Sequence, residues 1–105
     1  MTARICLWYH GDAQGAAEMY AATFADSHIE RVHAAQGDFP GGQKGSALMV
    51  EMRLLGMEAI LLNGGPQFSH SEAFSIQVET ESQKETDRLW NVLTRDGGAE
   101  SQCGW

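Results

Sequence analysis

Four histidines, two cysteines and a carboxylate set inside an apolar run are the side chains of this 105-residue sequence with the widest chemical reach. A metal site needs three or four nitrogen, oxygen or sulfur donors converging on one point. His10, His28, His33 and His70 are spread along the chain, and none makes a short helical or strand pair with a carboxylate at metal-binding spacing. His28, Glu30 and Val32 share one strand face, so a weak site there is the most a histidine supports. No metal is expected. Cys6 and Cys103 stand at opposite ends without a C-x-x-C spacing, so free reduced thiols are expected, and neither a disulfide nor a structural zinc. Cys6 can act as a nucleophile only if a base stands beside it; the plainer expectation for a lone strand cysteine is a small buried hydrophobe.

Glu51 lies in the run ALMVEMRLL, where a buried carboxylate is costly unless paired. Arg53, two residues along on the same strand face, is its obvious ion-pair partner, and a general base is the sharper alternative. Asn63, followed by Gly64 and Gly65, is either turn chemistry, since asparagine and glycine tolerate positive φ, or a polar contact for a ligand. Trp8 is either core or a ligand platform, and Trp90 is expected in the core.

These residues need elements to hold them. RICLWY, residues 4–9, is rich in β-formers and ends at His10-Gly11-Asp12, where glycine breaks the strand and aspartate can cap a helix. Ala16, Ala17, Met19, Tyr20, Thr23 and Phe24 recur at helical spacing, which predicts a first helix over 12–24. A short strand over 28–33 follows, then a loop over 36–45 rich in glycine and carrying Pro40. Residues 47–55 and 58–63 predict an antiparallel hairpin turning at Gly56 and Met57. After a loop, AFSIQV at 73–78 alternates apolar and polar residues as a half-buried strand does. Ser82 with Glu85 forms a capping-box signal for a second helix, with Leu89, Trp90 and Leu93 as its apolar stripe and an end near Gly97-Gly98.

The strand and helix at 4–24 echo those at 73–98, so the chain reads as a degenerate tandem repeat. The expected fold is α+β: tandem βαβββ-type units, residues 1–63 and an incomplete second unit at 72–105, forming one domain with a curved mixed sheet and helices on its outer face. Strand parity then points Cys6 and Trp8, Met49 and Glu51, Asn63, and Ser75 and Gln77 toward a shared cup. Trp8, Glu51, Asn63, Ser75 and Gln77 are the candidate ligand contacts.

Seven Lys and Arg against 14 Asp and Glu give a net charge of −7, which opposes the counterion release that nucleic-acid binding exploits. No run approaches the ~20 apolar residues that span a bilayer, and the N-terminus lacks a signal-peptide core. A cytoplasmic protein with neither nucleic acid nor membrane as partner is expected.

The segments CLWYHGDAQGAAEMY, LLNGGPQF, AFSIQV and the closing QCGW, in this order over nearly the whole chain, resemble the PhnB-like branch of the vicinal oxygen chelate superfamily, which also holds the glyoxalase and bleomycin-resistance proteins. The resemblance implies the glyoxalase-like fold and an open cup. Many members of the branch carry the label 3-demethylubiquinone-9 3-methyltransferase. The doubly wound sheet and strand-glycine-helix signature that hold an adenosyl cofactor are missing from this sequence, so no cofactor is expected. The resemblance also implies a divalent metal held by His and Glu on the first, fourth, fifth and last strands. Two of those positions fall here at Arg4 or Ile5 and at Ala73, none of them a His or Glu. Relatives continue past the CGW motif into a turn and a further strand, so a homodimer, with strand exchange as one route, is expected to complete the second unit, the alternative being further residues beyond Trp105. The function expected is the binding of a small organic molecule without a tightly bound metal; a metal-dependent lyase, isomerase or dioxygenase, and a dimeric interaction module, are the alternatives.

Overall fold

The computed structural model describes residues 1–95, 98 and 99. Its elements run β1 (Ile5–Tyr9), α1 (Ala13–Thr23), β2 (His28–Ala34), β3 (Ala47–Leu54), β4 (Met57–Asn63) and α2 (Gln83–Arg95). The chain divides into two compact units, Met1–His70 and Ser71–Trp105.

The first unit holds a four-stranded mixed sheet in the order β1-β4-β3-β2, with β1 parallel to β4 and the other two pairs antiparallel. The α+β fold expected from the sequence is the fold found, with four strands in one sheet and two helices. Registry gives each face its content. Leu7 lies opposite Leu61, which lies opposite Val50; Ile5, Ala59 and Met52 form the next row. Val50, Met52 and Leu61 are fully buried. Ala13 and Ala17 of α1 are also fully buried, and two alanines on that stripe let the helix backbone come close to β2, β3 and β4.

Local chemistry sets the ends of these elements. Asp12 caps α1, its Oδ1 accepting from Gly15 N at 3.1 Å, and the helix stops at Phe24 in extended conformation. The β3–β4 turn is made by Leu55 and Gly56, both at positive φ (52° and 80°), as a tight two-residue hairpin requires, one residue earlier than the expected Gly56-Met57 turn. The α1–β2 turn holds this hairpin: Ser27 Oγ accepts from Leu55 N at 2.8 Å, and Asp26 O accepts from Gly56 N at 3.0 Å.

In the second unit, Ser82 Oγ accepts from Glu85 N at 3.1 Å, the expected cap of α2. Glu85 turns its carboxylate onto Arg88 at 2.7 Å rather than back to the cap. Leu89 of the expected stripe is buried. The expected end of α2 at Gly97-Gly98 and the closing Cys103 and CGW motif involve residues outside the described ones.

The expected strand at 73–78 is a correction: these residues form no ladder among the described residues, and Phe74 and Val78 are exposed. Alternation of apolar and polar residues sets which side of an extended segment prefers water, but a strand also needs a neighbour for its own N–H and C=O groups. No helix among the described residues is long and apolar enough to cross a membrane.

Candidate functional site

The face of the sheet opposite α1 is built from the strand positions that alternate with the core. One row across it reads Trp8, Leu62, Met49 and His33; the next reads Cys6, Ile60, Glu51 and Arg31. Cys6 is exposed rather than buried, and Trp8, Leu62, Met49 and Ile60 are half-buried.

Glu51 sits among basic groups. Its Oε2 meets His33 Nε2 at 2.6 Å, Arg31 Nε lies 4.0 Å from the same oxygen, and Arg4 Nη1 lies 3.6 Å from Oε1. The His33 hydrogen bond holds the Glu51 carboxyl below its usual range against the opposing effect of desolvation, and the charges of His33, Arg31 and Arg4 add to the lowering. Glu51 is therefore a fixed carboxylate. The expected partner is corrected: Arg53 shares the strand face but donates to Asp26 at 3.0 and 3.2 Å and also pairs with Glu58 at 4.0 Å. Asp26, at positive φ in the α1–β2 turn, stands within hydrogen-bonding distance of that guanidinium. His28 and Glu30 do meet, at 4.0 Å.

Trp8 is oriented by the segment after β4. Its Nε1 donates to Gly65 O at 3.0 Å, and the Phe68 ring meets it edge-on with centroids 5.0 Å apart. A Cβ on Gly64 would collide with the indole, so glycine there lets the ring lie across the backbone. Gly65, at a φ of 95°, approaches Pro40 of the long loop.

Asn63 stands apart from the face that strand parity assigned it to. It lies opposite Tyr9 and is buried on the α1 side of the sheet, away from Trp8 and Glu51. Its Oδ1 accepts from Ala13 N at 2.7 Å, and its Nδ2 donates to Ala47 O at 2.8 Å, tying the start of α1 to the start of β3. Counting across a two-residue hairpin turn puts Asn63 on the same side as Val50, so the information was in the sequence. Asn63 also lines a hollow of about 300 Å³, with Asp12, Gln14, Gln43 and Ser46, that opens between the β1–α1 turn and the long loop. Ser75 and Gln77 are exposed in the second unit and lie in no strand.

Sequence reasoning missed the His33–Glu51 pair, because the contact runs between strands rather than along one. The signal lay in pairing β2 against β3 around the expected loop. It also missed Tyr9, whose hydroxyl meets that of Tyr20 at 2.8 Å beside the His70 ring. Burial, then the Tyr20 hydrogen bond, pushes the Tyr9 phenol far above its ordinary value, so it stays a neutral hydrogen-bonding group. Among the described residues, no three His, Cys, Asp or Glu side chains converge as a metal would need.

A family model described as 3-demethylubiquinone-9 3-methyltransferase matches residues 2–105. Among solved structures, a putative 3-demethylubiquinone-9 3-methyltransferase, PhnB protein, from Bacillus cereus superposes with a TM-score of 0.78 at 23% identity, over 91% of this chain and 75% of that one. A protein from Staphylococcus aureus has a TM-score of 0.47 at 20% identity, over 86% of this chain and 64% of that one. No curated protein matches the sequence.

Proposed function

From the chain's place in the family described as 3-demethylubiquinone-9 3-methyltransferase, to which it belongs over residues 2–105, we propose that it is a glyoxalase-fold protein that binds a small organic molecule on the sheet face opposite α1. The observation that carries this reading is the combination on that face of half-exposed apolar side chains, Trp8, Met49, Ile60 and Leu62, with a carboxylate fixed among three basic groups. Soluble binding sites pair an apolar floor with a few well-placed polar groups in this way.

Methyl transfer, which the family description names, calls for an adenosyl cofactor held at a strand-to-helix turn. The residues present do not fit one. At the β1–α1 turn the Gly15 and Ala13 amides are already taken by Asp12 and Asn63, and the Asp12 carboxylate repels the carboxylate that such a cofactor carries. The superfamily's metal fits no better, since Arg4, Ile5 and Ala73 offer neither imidazole nor carboxylate. No step is derived through either group.

A thermal-shift screen of small organic compounds against the whole chain tests the reading. A compound at about a hundred times its dissociation constant stabilises the fold by roughly 2.7 kcal/mol. The expected result is a rise in Tm for one compound class that is lost when Cys6→Trp fills the face. No rise for any class overturns the proposal.

Self-association belongs to the same proposal. β1 forms one edge of the sheet, and an uncovered edge favours pairing with another strand. A homodimer in light scattering is the expected result, and a monodisperse monomer overturns it.

A further inference from the structure

Resting on the reading of this face as a binding surface, we propose that its ligand is an organic acid: a carboxylate held between Arg4 and Arg31, with an apolar body lying along Leu62 and Met49 toward Trp8.

Three arginines stand on or beside this face, and they are not equally satisfied. Arg53 donates two hydrogen bonds to Asp26, at 3.0 and 3.2 Å, and has Glu58 within 4.0 Å besides. Arg4 and Arg31 share one carboxylate at 3.6 and 4.0 Å, beyond hydrogen-bonding distance, and donate no hydrogen bond among the described residues. The short contact to that carboxylate belongs to His33. Two guanidinium groups thus lean toward one neutralising charge and keep their donor forks unused. In a chain of net charge −7, this is a local excess of positive charge with the planar donors that a carboxylate fits. A cationic ligand would meet the same guanidinium groups and find Glu51 already neutralised.

The apolar part follows from registry. Ile60 separates Cys6 from Glu51 in the row that ends at Arg31, and Leu62 with Met49 fills the row from Trp8 to His33. With strands about 4.8 Å apart and like-facing residues about 7 Å apart along each, the Trp8 position lies roughly 12 Å from that of Glu51, toward which both guanidinium groups lean. The indole and the arginine side chains take up part of that distance, and a ring with a short acid side chain spans the remainder. The Trp8 and Phe68 rings, edge to face, bound its far end.

The test uses three probes on the whole chain: 3-phenylpropionate, its neutral counterpart 3-phenylpropionamide, and propionate, which has the charge without the ring. Binding is read by calorimetry and by the methyl signals of Met49 and Leu62. The acid is expected to bind about tenfold or more tighter than the amide, and propionate weakest, as the loss of one charged anchor or of the body implies. Arg31→Gln, whose side chain is 72% exposed and so changes little in the fold, is expected to weaken the acid several-fold and leave the amide unchanged. Glu51→Gln is expected to strengthen acid binding by releasing both guanidinium groups, an outcome that a purely structural Glu51 does not produce. If the amide perturbs Met49 and Leu62 as strongly as the acid does, and Arg31→Gln leaves both affinities unchanged, the acid assignment is overturned while the binding face stands. If no probe perturbs those signals in a chain that melts cooperatively, both are overturned.

Discussion

Ile60 and Leu61 are neighbours in β4, yet one belongs to a sealed interior and the other to a surface set out for contact. Beneath α1 the side chains are aliphatic and matched across strands: Leu7 against Leu61 against Val50, with Ala17 above the sheet and Asn63 as the buried polar residue at the margin. On the other side the same strands present Trp8, Cys6, Met49, Ile60 and Leu62 among Arg4, Arg31, His33 and Glu51. Pleating delivers both faces from one backbone. The difference lies in what closes each of them, a helix with alanine stripes on one side and charge pairs on the other. A core can be specified by volume alone, whereas a contact surface needs charges placed one by one.

The sharpest way to break this contrast is to truncate both neighbours. Leu61→Ala is expected to cost about 3–4 kcal/mol, through lost burial plus the cavity left below α1, and Ile60→Ala about 1–2 kcal/mol. Urea unfolding of the two variants measures the gap. Equal costs would mean that the face opposite α1 is as sealed as the core.

Asn63 tests a buried polar residue of the sheet on the α1 side. Asn63→Leu keeps the volume but leaves Ala13 N–H and Ala47 C=O without partners, an expected loss of about 2–3 kcal/mol. Asn63→Asp keeps the acceptor for Ala13 but sets a buried, unpaired carboxylate against Ala47 O, so at pH 7 its loss should be no smaller than that of Asn63→Leu. A near wild-type urea midpoint for Asn63→Leu would show that Asn63 acts through shape rather than through its two hydrogen bonds.

How far the sequence could be read differs in the same way between the faces. The Ser82 cap, the Asp12 cap, the span of α1 and the β3–β4 hairpin are local, written in residues three or four apart, and all of them form. The core followed from alternation in β1 and β3. Cross-strand contacts were not legible in the same way. Glu51 was correctly marked as a carboxylate needing partners, but His33, Arg31 and Arg4 are supplied by the register of β2 and the segment before β1, which no spacing along the chain reveals. Arg53 looked like the partner because it is near in sequence, and Asp26 is near in space. Residues 73–78 show the limit of pattern: the alternation in AFSIQV matches that in β1, yet among the described residues β1 has a neighbour in a ladder and 73–78 do not.

A smaller effect comes from Gly64, where the open face depends on a backbone without a side chain. Gly64→Ala places a methyl group against the Trp8 indole, so the ring must shift from Gly65 O, at a cost of about 1–2 kcal/mol. A moved Trp8 emission with a stability loss no larger than this would confirm that the glycine sets the platform rather than the fold. Asp12→Ala, on the other side, should cost about 1 kcal/mol through the lost cap and leave Trp8 emission unchanged.

The smallest expected effect is the acid response of the charged face, and its sign is fixed by Glu51. The folded carboxyl lies below its ordinary value of 4.5, with the His33 hydrogen bond as the largest cause. A group whose pKa is lowered by folding binds protons more weakly in the folded chain than in the unfolded one. Its contribution is therefore complete above the unfolded pKa and is lost as pH falls from there through the lower folded value. Asp26 and Glu85 are lowered in the same way, by Arg53 and Arg88, so the wild-type chain loses stability in acid from three places. Glu51→Gln removes one of them. Its urea midpoint should fall less steeply than that of the wild type between about pH 5 and 3, and the difference should shrink with added salt, since exposed pairs are screened. Substitutions beneath α1 leave those three carboxylates in place and should keep the wild-type slope. An unchanged slope in Glu51→Gln would mean that the His33–Glu51 contact does not hold the carboxylate in solution, and the open face would then lack the fixed charge on which its difference from the core rests.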